Sequence, residues 1–161
     1  MRQEASAKRG FTLIELLIVI AIIAILAAAV FVALDPLTRF QEARDSQRWS
    51  DLNNILSAIK VDQVDNDGAY SAAITALTAG TEYQIGTAGV GCNDGCTAVS
   101  TEAACVDLTS LVTDGYLGSV PMDASSGTAA ETDYYLIRTA EGTITAGACD
   151  PEVETSISLT R

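Results

Sequence analysis

The chain has 161 residues, a length that suits one folded domain with an anchor rather than two independent cores. Its formal net charge of −12 is unevenly spread: from Asp35 onward six basic residues face nineteen acidic ones, so this part repels nucleic-acid phosphates and no general nucleic-acid binding is expected. No histidine is present, which excludes Ser-His-Asp and Cys-His catalysis and most zinc sites, and the chain reads as a non-enzyme.

The first element is the run KRGFTLIELLIVIAIIAILAAAVFVALDP, Lys8 to Pro36. From Leu16 to Leu34 nineteen consecutive residues are apolar. Counted from Phe11, the segment reaches about 36 Å as a helix, enough for a hydrocarbon core of about 30 Å. Thirteen of the nineteen are Leu, Ile, Val or Phe. Together they contribute about −4 to −8 kcal/mol to insertion, which exceeds the cost of one carboxylate on the same scale. Glu15 is therefore tolerated near the start of the run. A cleaved secretory signal would use Leu26 to Val30 as its small-residue site, but the apolar core here is longer than the usual stretch of about 7 to 15 residues and continues past the alanines. A plain signal anchor leaves Glu15 without a purpose. Charge does not set the orientation, because Arg2, Lys8 and Arg9 before the span balance Arg39, Arg44 and Arg48 after it.

Pro36 cannot donate to the carbonyl of Val32, so a break is expected near Asp35 before the helix resumes. Trp49, Leu52, Ile55, Leu56 and Ile59 recur at spacings of three and four, the mark of one buried stripe. The opposite face carries Glu42, Arg44, Asp45, Arg48, Asp51 and Lys60, with the arginines read as solvated. One long helix from about Phe11 to Val64 follows. It stops at DNDGAY, Asp65 to Tyr70, where Gly68 supplies the left-handed position. The same stretch is not an EF-hand, since Gln63 and Ile74 stand at its first and twelfth positions.

Beyond the helix, Glu82 to Gly86 reads as a strand and Asp107 to Leu117 as a short helix capped by Asp107. Tyr134 to Gly147 reads as a hairpin turning at Glu141 and Gly142, and Thr155 to Thr160 as a last alternating strand. The predicted class is α+β: a long N-terminal helix, half membranous and half amphipathic, on a small antiparallel sheet. Cys92, Cys96, Cys105 and Cys149 all follow the apolar run. Their even number in a small head reads as two disulfides, with three connectivities open and Cys149 joined to one of the earlier three. The spacings C-x3-C and C-x8-C do not form the paired knuckles of a zinc ribbon. Gly86 to Gly91, GTAGVG, does not match a phosphate loop.

The segment KRGFTLIELL, a basic leader ending in Gly10, then Phe11, then Glu15 inside an apolar helix, resembles the class III signal of type IV pilins and type II secretion pseudopilins. The resemblance implies cleavage by a prepilin peptidase between Gly10 and Phe11, N-methylation of Phe11, and pairing of Glu15 with the new amine. It also implies a leader over 1–10, a transmembrane and assembly half over 11–35, and an extracytoplasmic head over 36–161. The expected partners are the peptidase, an inner-membrane assembly platform and further copies in a helical homopolymer. The chain would cross the cytoplasmic membrane once with its N-terminus in the cytoplasm, then enter an extracytoplasmic filament.

The head carries two further likenesses. DNDGAY is similar to the turn closing the long helix of major pseudopilins, with Ser71 where that family has proline. Gly115 to Asp123, GYLGSVPMD, resembles the segment before the pseudopilin sheet. A calcium ion can sit there in that family, which makes Asp123 the candidate ligand and calcium the one candidate cofactor, although Ala124 replaces the family's second proline. The cysteines point instead to a surface pilin, because major pseudopilins usually lack them. A reading of another class is a membrane-anchored module whose cysteine-rich loop captures a metal or ligand.

Overall fold

A computed structural model describes residues 10–161. Residues 1–9, most of the expected leader, lie outside the described residues. The chain divides into two compact units, with the boundary between Arg39 and Phe40.

In the first unit, helix α1 (Leu13–Leu34) buries none of its residues. It is long and apolar enough to cross a membrane. Asp35 then leaves the helical region, with φ 37° and ψ 70°, and α2 (Pro36–Asp65) begins at the next residue. The expected break is thus confined to one residue. Steric conflict with the proline ring drives the preceding residue out of the α region, while a proline at the first helical position sacrifices only an N–H that would be unpaired anyway. Asp35 also bonds across the first turn of α2: its Oδ2 accepts from Thr38 Oγ1 at 2.7 Å.

In the second unit, the apolar stripe of α2 forms the centre of the core. Leu52, Ile55, Leu56 and Ile59 are fully buried, with Trp49 packed partly against them. The helix ends where expected: Asp67 and Gly68 take φ 55° and 90°, and Gly68 N–H donates back to Gln63 at 2.8 Å. A one-turn helix, α3 (Ala72–Thr75), follows. Strand β1 (Glu82–Gln84) precedes α4 (Thr109–Thr113), which starts two residues later than expected, although Asp107 Oδ1 does accept from Thr109 N–H at 2.8 Å.

The sheet is completed by β2 (Tyr134–Arg138), β3 (Ile144–Ala148) and β4 (Ser158–Thr160), all antiparallel in the order β1-β2-β3-β4. Register places Tyr83, Leu136, Ala146 and Leu159 in one row across the four strands, directed at the α2 core. The adjacent row, Gln84, Tyr135, Gly147 and Ser158, points to the opposite face. Gly147 is required there, because a Cβ would enter the Tyr135 ring. A long N-terminal helix with a small antiparallel sheet is the α+β arrangement the pattern predicts.

Candidate functional site

The residues around the expected cleavage point are accessible. Gly10 is exposed, Phe11 is 83% exposed, and both precede the first turn of α1. Thr12 caps that turn through a reciprocal pair: Thr12 Oγ1 accepts from Glu15 N–H at 3.3 Å, while Glu15 Oε2 accepts from Thr12 N–H at 2.7 Å. The hydroxyl of Thr12 also donates to the same carboxylate at 2.8 Å. These bonds satisfy two backbone donors and one hydroxyl that would otherwise face an apolar medium. They also give Glu15 polar partners within its own chain. The signal is present in sequence as Thr-x-x-Glu before an apolar run, a spacing that the charge of Glu15 by itself does not reveal.

A second group of polar residues sits in the head, where the arginines expected to be solvated are paired. Arg48 is 1% exposed and donates through Nε and Nη2 to both oxygens of Asp123, through Nη1 to Asp45 Oδ1 at 2.6 Å, and through Nη2 to Glu152 Oε1 at 3.2 Å. Arg44 forms a two-pronged pair with Glu152. Asp45 in turn accepts the backbone N–H groups of Glu152, Val153 and Glu154 at 3.1, 2.8 and 3.0 Å. Helical periodicity places Asp45, Arg48 and Asp51 on the polar face of α2. Two loops fold over that face, and their carboxylates and amides replace water there.

This arrangement also decides the role of Asp123. Its Oδ1 accepts from Ser125 N–H at 2.8 Å and Ser125 Oγ at 2.6 Å in addition to the guanidinium. A cation is thus already supplied by the chain itself, and the surroundings of Asp123 do not fit a calcium ion.

Burial alone would raise the carboxyl of Asp45, but the three backbone donors and Arg48 outweigh it and hold the group at about 2, below its ordinary 3.8. Asp123 is likewise held low by Arg48 and Ser125 against the opposing effect of burial, and Arg44 lowers Glu152. Because the folded value of Asp45 lies below the unfolded one, its contribution is complete above pH 4 and disappears as pH falls towards 2. Between pH 5 and 2 the wild type should lose about 1 to 2 kcal/mol more stability than Asp45→Asn. Urea unfolding at stepped pH measures this, and parallel acid limbs for the two proteins would exclude the cluster as the source.

Cys92 is bonded to Cys105 and Cys96 to Cys149, one of the three connectivities left open. No cysteine is free among the described residues, so thiolate capture of a metal has no ligand here. The second bridge spans 53 positions and, by limiting the unfolded chain, contributes about 4 kcal/mol. It draws the 92–105 loop onto the end of β3, where Ala98 N–H and Thr97 Oγ1 both donate to the Cys149 carbonyl at 3.0 and 3.1 Å.

A lipid-compatible helix with one carboxylate in its first turn, followed by a disulfide-bonded head of one long helix, two short ones and four antiparallel strands, is a pilin-like architecture. The family model described as the prokaryotic N-terminal methylation motif matches residues 5–31. The chain therefore carries the prepilin-type signal of type IV pilins and pseudopilins, and is a prepilin-like protein suited to peptidase processing and membrane anchoring. No curated protein and no solved structure matches it.

Proposed function

We propose that this chain is a structural subunit of a type IV pilus or a related filament. A prepilin peptidase cuts between Gly10 and Phe11, and Phe11 is N-methylated. The subunit waits in the cytoplasmic membrane with its head outside and polymerises through α1 on an inner-membrane assembly platform. Glu15 leaves its intrachain partner Thr12 to neutralise the Phe11 amine of a neighbouring copy. The observation that carries this reading is α1 itself: 22 residues with none buried, bearing one carboxylate in its first turn, within the match to the methylation motif. A mere anchor needs the apolar surface but not the charge. A role of this kind requires no catalytic group.

A type II secretion pseudopilin is the neighbouring alternative, differing in the machine served rather than in subunit chemistry. The two disulfides favour the pilus. Secretion-channel genes beside this one would favour the pseudopilin, and retraction machinery the pilus.

Mass spectrometry of filament-enriched material checks the processing. The expected mature chain begins at Phe11 and carries the mass of one added methyl group with both disulfides intact. A mature chain that begins elsewhere overturns the assignment.

A further inference from the structure

A cleft of about 680 Å³ lies between the end of α2 and the two short helices of the head. It is lined by Asp62 of α2, by Tyr70 and Ser71 ahead of α3, and by Asp107, Ser110 and Asp114 at α4. Asp62 is 3% exposed. Its Oδ1 accepts from Asn66 Nδ2 at 2.9 Å, whereas its Oδ2 is buried without a hydrogen-bond partner. Ser71 Oγ is likewise buried and unpartnered. A buried carboxylate oxygen without a donor is costly, so the cleft is incomplete as the chain alone builds it.

Charge is missing there as well as a donor. Among the described residues, Asp62, Asp107 and Asp114 form no ion pair. Lys60, two residues before Asp62, is bonded instead to Gln63 Oε1 at 3.0 Å and to the Tyr70 hydroxyl at 2.6 Å. Asp107 and Asp114 are exposed at the mouth of the cleft. Burial, then a bond to Asp65 and the charges of Asp65, Asp62 and Asp114, push the nearby Tyr116 phenol above its ordinary 10, which reports the negative field at this end of the head. A water satisfies one lone pair of Asp62 but brings no counter-charge.

We propose that this cleft binds a guanidinium group, carried by a small cation or by an arginine side chain, with Asp62 Oδ2 as the inner acceptor and Asp107 and Asp114 supplying the outer field. Among the described residues no three acidic, cysteine or histidine side chains are grouped to hold a metal ion, so the cation that fits is a larger one. A guanidinium spreads five N–H donors over a flat fork and reaches acceptors set apart along a cleft, whereas an ammonium is a compact point charge. Arginines of the head are engaged elsewhere: Arg44 and Arg48 with Glu152 and Asp123, Arg138 with the Leu77 carbonyl, and Arg161 with Ser57 and Asn53. The site is complete within one copy and does not rest on filament assembly.

The test uses the full chain in detergent micelles with its disulfides intact, titrated by calorimetry with ethylguanidinium chloride and with acetyl-glycyl-arginyl-glycinamide. One saturable site is expected, with a dissociation constant of about 1 mM, the scale of a few charge-assisted hydrogen bonds. Binding of the peptide about tenfold tighter than ethylguanidinium assigns an arginine side chain, and equal affinities assign a small cation. Asp62→Asn keeps an oxygen for Asn66, should hold its thermal midpoint, and should weaken binding by about tenfold or more. Glu141→Gln, in the hairpin turn away from the cleft, should bind as the wild type does. If Asp62→Asn loses its fold, the double variant Asp107→Asn with Asp114→Asn decides, with a loss of about threefold expected from these exposed charges. Absence of saturation up to about 20 mM, or affinity unchanged in the folded cleft variant, overturns the site. Equal binding of the peptide with citrulline in place of arginine, which keeps the shape without the charge, overturns the guanidinium assignment.

Discussion

Glu15→Val should leave the chain in the membrane fraction at wild-type levels and all but eliminate filaments. Insertion becomes easier, since the substitution replaces the one carboxylate of the apolar run with a residue that partitions favourably. What disappears is the partner for a positive Phe11 amine in a medium where an unpaired charge is costly. Removal of one member of a buried ion pair typically weakens an association by on the order of 100-fold or more, and a filament repeats that loss at every subunit. The same change removes the acceptor of the Thr12 N–H and so breaks the capping box. Thr12→Ala separates the two effects, because it removes the hydroxyl donated to Glu15 while keeping the carboxylate. Its filaments should form, in lower yield. Sheared-filament recovery and electron microscopy, normalised to membrane-inserted subunit, give the comparison. Normal filaments from Glu15→Val would remove the pairing argument, and failure of that variant to insert would show that Glu15 acts before assembly.

The parts of the fold legible in sequence are those that local rules control. Nineteen apolar residues, a proline after Asp35, a three-four stripe from Trp49 and a turn at Gly142 each constrain their own neighbourhood strongly. The stripe is buried from Leu52 onward, with Trp49 packed partly against it, and Gly142 adopts φ 85° at the β2-β3 turn. The head's charged cluster obeys no such rule. Arg48 and Asp123 are 75 positions apart, and Arg48 and Glu152 are 104 apart. Helical periodicity assigns Arg48 to a polar face correctly but says nothing of the loops that later cover that face. The same limit applies to Asp123, whose decisive neighbour, Arg48, lies on α2. The disulfide pairing is a third case: even count and spacing predict two bridges, but only the folded loop decides that Cys96 and not Cys92 reaches Cys149. At the other end of the chain the relation is reversed. Thr12 and Glu15 are three residues apart, so their pairing follows from the sequence and needs no tertiary context.

Arg48→Met should destabilise the head by about 3 to 5 kcal/mol, a large share of the 5 to 15 typical of a whole domain. Methionine fills much of the volume, so the loss is electrostatic: Asp45 and Asp123, exposed by 4% each, remain buried with no guanidinium between them. Burial opposes the charge on Arg48, yet the bonds from Asp123 and Asp45 outweigh it and raise its pKa, the direction expected of a cation more favoured in the folded state. Arg48→Lys retains the charge but not the planar fork that serves Asp123, Asp45 and Glu152 together, so an intermediate loss is expected. The core formed by Leu52, Ile55, Leu56 and Ile59 and both disulfides lie outside the cluster, and the variant should still fold at neutral pH. Its first sign of weakness should be faster proteolysis within 121–127 and 150–155, the two segments the arginine ties to α2. Urea unfolding of the full chain in detergent, disulfides intact, supplies the magnitude. A loss below about 1 kcal/mol, the size of an exposed surface pair, would mean that the cluster is hydrated and that α2 is held to the sheet by the apolar core alone.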